Sequence, residues 1–201
     1  MTSQIFPRAR AILDFWFTEA NAPNYGHYRK AWFIKDDAFD QQIRRQFLSD
    51  YEKAAAGENE AWKTQPESAV ALLLLLDQFP RNLFRGDPRS FATDPQALSV
   101  AQHLVTTGTD KGLIAAHRFF IYVPFEHSEN MEHQNQCVAL MEELIQDVPD
   151  LEEGLKGGLD YAIRHREVVE RFGRFPHRNE ILGRASTAEE VEFLKQPGSR
   201  F

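Results

Sequence analysis

Apolar positions recur every three to four residues along most of the chain, the period of an amphipathic helix. Pro7 suits a first helical turn, and Ala9, Ile12, Leu13 and Trp16 follow on one face. Residues 21–30, with Asn, Pro and Gly punctuation, read as a loop. Asp36 or Asp37 then caps a helix whose buried face is Phe39, Ile43, Phe47, Tyr51 and Ala54, with Gly57 as its stop. Thr64-x-x-Glu67 reads as a capping box in front of the leucine-rich run at 69–76, and Thr93-x-x-Gln96 as the start of a further helix that Gly108 ends. The pattern predicts a helix over 112–123 interrupted by Pro124, a long one from about Ser128 to Val148, a break at 149–158, a helix over 159–172, and a short last one capped by Thr187-x-x-Glu190 and stopped at 196–198.

No stretch of useful length alternates with the period of two that strands require. The expected fold is therefore all-α: antiparallel helix pairs in one domain, residues 1–201, a tetratricopeptide-like helical bundle without the repeat consensus. The run at 69–76 is far shorter than the roughly 20 residues that span a bilayer, so it reads as a helix buried on all sides.

Composition narrows the classes. The chain has 201 residues, 42% of them apolar, with 16 Phe, 3 Trp and 5 Tyr, enough to build a sizeable core rather than a disordered chain. A formal net charge of −7 argues against nucleic acid as a partner, and no segment argues for a membrane. The first 17 residues lack the basic, apolar, small order of a secretion signal, and one cysteine, Cys137, excludes an intrachain disulfide; a cytoplasmic protein is expected.

Polar residues on apolar faces are the candidate chemistry. His127 and Gln134 fall on the stripe of the long helix, and His165 shares a face with Tyr161, Val168 and Phe172. Buried polar groups need partners, so these residues either fix helix register or line a polar pocket. Glu129 and His133, four apart, have a chelating spacing, but no third ligand is evident; neither a metal nor another cofactor is expected.

Two helix exits are built alike: "QFPRN" at 78–82 and "RFPHRN" at 174–179. In each, an aromatic anchor precedes a proline that disfavours helix behind it and suits the first turn ahead, and Arg-Asn follows. Residues 161–184 carry six arginines, whereas 126–153 carry nine acids and no Lys or Arg. The two stretches either pair with each other, or leave Arg81, Arg85, His127, Arg174, His177 and Arg178 around a phosphate- or carboxylate-binding pocket.

The stretches "DQFPRNLFRG", "FATDPQAL", "PFEHSE" and "HREVVERFGRFPHRNEILGRASTAEEVEFL" resemble the bacterial domain-of-unknown-function 924 family over nearly the whole chain. The resemblance implies a tetratricopeptide-like helical fold and carries no known activity. It picks out Asp77, Gln78, Pro80, Arg81, Asn82, Arg85, Asp94, His127, Ser128, Glu129, Gln134, His165, Arg174, His177, Arg178 and Asn179.

Three readings stand at this point. The first is a binding scaffold for a small anion or a peptide, with a polar pocket drawn from Arg81, Asn82, Arg85, His127, Glu129, Gln134, His165, Arg174, His177, Arg178 and Asn179. The second is a hydrolase in which His127, His165 or His177 acts with Glu129 as base and orienter, and Arg81 or Arg178 stabilises an anion. In the third, the motifs only lock the C-terminal segment onto the bundle.

Overall fold

The computed structural model describes residues 5–200, so the first four residues of the N-terminal segment lie outside it. All regular structure among these residues is helical. The α-helices are α1 (Pro7–Phe17), α2 (Asp37–Ala55), α3 (Pro66–Leu76), α4 (Gln78–Leu83), α5 (Asp94–Thr106), α6 (Ala115–Glu126), α7 (Met131–Asp147), α8 (Glu153–Phe172) and α9 (Ala188–Phe193), with short 3-10 turns between several of them. No helix among the described residues is long and apolar enough to cross a membrane.

The leucine-rich α3 is the centre. Every residue from Ser68 to Leu76 is buried, which its neighbours explain: α1, α2, α4, α5 and α6 all pack against it. Trp16 of α1, fully buried, joins the aromatic rings of Trp32, Phe39, Phe79 and Phe120 around it. Beyond this core α6, α7 and α8 pack on one another in succession.

Caps and prolines set the boundaries, and several differ from the sequence pattern. Asp36 caps α2 as expected, accepting from the backbone N–H of Ala38 and Phe39, and Thr187 with Glu190 forms a complete capping box. Thr64 does not cap α3. Pro66 takes the first helical position and holds Gln65 extended, so the helix begins after Thr64, whose hydroxyl donates to the Ala61 carbonyl. Thr93 stands at the start of α5, but its hydroxyl donates to the Leu76 carbonyl and accepts from no first-turn N–H.

Pro124 does not interrupt α6. It sits in the last turn, where its missing N–H forfeits a single bond before the helix ends at Glu126. The long helix starts at Met131 because Asn130, not Ser128, accepts from the N–H groups of the first turn. His127 therefore belongs to the end of α6 and not to the stripe of α7.

The expected break at 149–158 is short, and α8 runs straight through its glycines. The sequence reads these residues as breakers, yet packing explains two of them. A Cβ on Gly158 would lie 2.3 Å from the Phe119 ring, and one on Gly154 would lie 2.3 Å from the Tyr28 ring. Gly157 faces open space. Gly157→Ala is expected to stabilise the fold by about 0.5–1 kcal/mol through helix propensity and a less free unfolded chain. Gly158→Ala is expected to cost about 1–3 kcal/mol by overpacking against a buried ring. Urea denaturation of the two variants checks this; equal responses would mean that α8 does not lie on Phe119.

Candidate functional site

The apolar run of α3 ends at Asp77, whose carboxylate is fully buried. Burial opposes its ionisation, but His127, Arg81 and the hydrogen bonds from His127 and Gln78 outweigh that and hold its pKa at about 2. His127 Nδ1 lies 2.6 Å from Asp77 Oδ1, and Gln78 Nε2 donates to Oδ2 at 2.5 Å. The His127 imidazole is pushed below its ordinary value by burial and by Arg81, against the pull of Asp77. The pair at neutral pH is thus an ionised Asp77 accepting from a neutral imidazole. Nδ1 is held, and Nε2 is the ring nitrogen left for chemistry.

The two similar helix exits meet at one carboxylate. Arg81, in α4, pairs with Asp94 at 2.9 and 3.0 Å. Arg178, in the 3-10 turn Pro176–Arg178, reaches the same Asp94 at 3.3 Å. Phe79 and Phe175, the aromatic anchors of the two exits, are both fully buried. The Arg178 guanidinium lies over the Phe91 and Phe175 rings. Burial, followed by the like charge of Arg81, brings its pKa down to about 10. Asp94 is thus an internal anion for both arginines.

Most of the remaining sequence candidates are tied elsewhere, although Glu129 borders one cavity with Asp94, His127 and Arg178, and His177 lies near enough to Arg178 and His127 to feel their charges. Asn82 and Arg85 both bind Asp40 of α2, at 2.7 Å and at 2.5 and 3.0 Å, tying α4 to α2. Gln134 is buried and donates to the carbonyls of Glu126 and Ser128, each at 2.6 Å, closing the turn between α6 and α7. Glu129 is not an orienter for a histidine: it accepts from Arg184 at 2.7 and 2.9 Å and from the Phe175 N–H at 2.8 Å. His133, four residues on at the spacing that suggested chelation, binds Ser128 and Gln102 instead. Arg174 forms a two-point pair with Glu190, which Asn179 also reaches. His177 packs on Phe175, and burial, then Arg178, lowers its pKa to about 3. The C-terminal motif is therefore largely a lock. Only part of the arginine-rich stretch faces the acidic one, since Arg171 and Arg174 turn to Glu189 and Glu190.

A cavity of about 590 Å³ opens beside the Asp77–His127 pair. Gln78, Arg81, Glu126, His127 and His165 are polar residues of its wall, which Glu153, Arg164 and Arg200 also border. Tyr28, Phe33, Phe119, Val123 and Tyr161 supply apolar wall, and Gly154, Gly157 and Gly158 leave α8 bare where it borders the space. Glu126, the last residue of α6, is buried there, with His165 Nδ1 at 3.5 Å; that nitrogen also lies 2.8 Å from the Tyr161 carbonyl. Burial, and then the charge of Asp77, raises the Glu126 pKa to about 8, so the group is a carboxylic acid at neutral pH. Burial lowers His165 to about 3, which keeps it neutral. A second cavity, of about 330 Å³, includes Phe91, Asp94, Pro124, Arg178 and again His127 in its wall.

The structure thus brings together Arg81, His127 and His165, separates out Asn82, Arg85, Gln134, Arg174 and Asn179, and adds residues that the candidate set lacked. Asp77 has a signal in the sequence: it is the one charge directly after eight apolar residues. Glu126 has a weaker one, an acid at the end of the aromatic run "RFFIYVPFE". The aromatic wall, drawn from a loop and two helices, has none.

A family model described as a bacterial protein of unknown function (DUF924) matches residues 12–198. No curated protein matches the chain. A solved structure of a protein of unknown function, ATU0120 from Agrobacterium tumefaciens, is 39% identical, covers 94% of this chain and 97% of its own, and superposes with a TM-score of 0.79.

Proposed function

The chain belongs to the bacterial DUF924 family, and from that premise we propose that it binds a small organic molecule in the cavity beside Asp77 and His127. The observation that carries this reading is the pairing, in one 590 Å³ space, of an apolar wall with a polar side. The volume suits a metabolite-sized molecule rather than a folded peptide. The wall of Tyr28, Phe33, Phe119 and Tyr161 favours a flat apolar body. A carbonyl or carboxylate head is favoured at the other end, where protonated Glu126 donates a hydrogen bond and Arg81 adds positive charge.

The expected anion site on Arg81 and Arg178 moves accordingly. Asp94 already bridges both guanidinium groups and Asp77 lies 3.6 Å from Arg81, so a free phosphate would have to displace a carboxylate that the fold holds in place. A cytoplasmic setting is part of the proposal; a lone buried thiol, Cys137, pushed by burial well above its ordinary pKa, suits it.

Ligand-observed NMR with a library of aromatic carboxylates, amides and ketones tests the reading. Binding is expected in the wild type and lost in Gly157→Phe. Gly157 borders the cavity, has a backbone that tolerates a side chain, and meets nothing within 4 Å of an added Cβ. Ligands that bind both proteins equally well would place the site elsewhere.

A further inference from the structure

We infer that the same cavity is a hydrolytic active site, in which His127, positioned by Asp77, activates water and Glu126 protonates the leaving group of an acyl bond. The inference rests on the binding reading and adds chemistry to it.

Three observations carry it. The Asp77–His127 contact at 2.6 Å occupies Nδ1 and fixes the ring, the arrangement that turns Nε2 into a general base. Glu126 directly precedes His127 at the same helix end, borders the same cavity, and has His165 Nδ1 at 3.5 Å. Among the described residues the cavity lining holds no Ser, Thr, Cys or Lys, so no hydroxyl of a Ser or Thr, thiol or amine competes with water as nucleophile. Asp77 itself is fully buried and committed to His127 and Gln78.

The step balances without an oxidant or reductant. A water oxygen bonds to the acyl carbon while one of its protons passes to His127 Nε2. The bond from the acyl carbon to the ester oxygen or amide nitrogen breaks, and the leaving atom keeps the electron pair and takes the Glu126 proton. A carboxylic acid and an alcohol or amine result. The proton on His127 then returns to the Glu126 carboxylate through solvent, and both groups are reset.

The groups around the base are Asp77 and Arg81 at the junction of α3 and α4, Asp94 of α5, Glu126 of α6, Glu129 of the turn before α7, His165 of α8, and Arg178 and His177 of the turn before α9. Glu126 faces Asp77 and His165. Activity is therefore expected to rise through a pH below 6.5, as His127 loses its proton, and to fall near 8, as Glu126 ionises.

The experiment uses naphthyl acetate and naphthyl acetamide as substrates and naphthylacetone as their inert ketone counterpart. Wild-type turnover of the ester or the amide is expected. It should fall by about 10²–10⁴-fold in Glu126→Gln and in His127→Ala. Imidazole in the buffer should restore part of the His127→Ala loss, and Gly157→Phe should abolish turnover. Asp77→Asn, a change to a positioning residue, should lower kcat with KM little changed and displace the acidic limb of the pH profile. Circular dichroism establishes that every variant is folded, naphthylacetone binding establishes that the variants at 77, 126 and 127 are loaded, and Glu126→Gln, nearly isosteric, is the arm least exposed to misfolding. A wild type that binds naphthylacetone but hydrolyses neither substrate overturns the catalytic inference and leaves the binding reading standing. Turnover that survives His127→Ala also overturns it. A wild type that fails to bind naphthylacetone overturns both.

Discussion

Asp94→Ala should cost about 3–5 kcal/mol of stability, the characteristic loss when one partner of a buried ion pair is removed. Two guanidinium groups depend on this carboxylate. Arg178 is 6% exposed and packed over the Phe91 and Phe175 rings, where water cannot replace the lost partner. Arg81 keeps Asp77 at 3.6 Å, but that carboxylate is already shared with His127 and Gln78. With Asp94 gone, the like charges of Arg81 and Arg178 would face each other without an anion between them. The double variant Asp94→Ala/Arg178→Met should recover part of the loss, because an apolar chain of similar reach removes the unpaired charge and retains the ring contacts. Urea unfolding of both variants measures the effect. A single-variant loss below about 1 kcal/mol would show that Asp94 is not the counterion of the two exits.

The second large effect is on pH. His117, His165 and His177 are each held near 3 by burial, against an ordinary 6.5. The unfolded chain therefore binds more protons than the folded one between about 6.5 and 3, and stability falls as pH drops through that window. Glu126 acts in the opposite sense. Its folded pKa of about 8 lies above an ordinary 4.5, so its contribution is complete below 4.5 and is lost as pH rises toward 8. Each proton difference is worth about 1.4 kcal/mol per pH unit. From 4.5 to 6.5 the imidazoles outweigh the carboxyl, and from 6.5 to 8 the carboxyl alone remains of these four. Stability should peak near pH 6.5, with an alkaline decline that Glu126→Gln abolishes and an acid decline that it leaves in place. Thermal unfolding from pH 4 to 9 checks both limbs. A flat profile between 6.5 and 8 in the wild type would show that Glu126 is not a buried acid.

The sequence made most helices legible because one-sided burial imprints its period on the chain. The stripe of α2, Phe39 to Ala54, is buried as its spacing predicts. The misreadings came where local residue type and tertiary packing disagree. Gly154, Gly157 and Gly158 look like a break, yet they remain helical, because absent side chains let α8 approach Tyr28 and Phe119 and border a cavity. Pro124 looks like an interruption, yet a proline in a last turn costs little.

The candidate site was half legible. Arg81, His127 and His165 stand out as polar residues in apolar surroundings, and each borders the cavity. Arg85, Arg174 and Asn179 stand out for the same reason but serve as ties, to Asp40 and to Glu190. Nothing local distinguishes an arginine that borders a cavity from one that pins a loop, since both need a carboxylate and differ only in where that carboxylate lies.

The residues by themselves determined an all-helical chain, its main buried faces and the similarity of its two helix exits, because these follow from periodicity and backbone geometry within a few turns. Tertiary structure alone decided that the two exits converge on Asp94, that Asp77 rather than Glu129 holds His127, and that Glu126 is buried beside both. Those facts depend on contacts between residues distant in the chain, 50 positions apart for Asp77 and His127 and 84 for Asp94 and Arg178. Charge and burial act through space, and sequence spacing does not encode them.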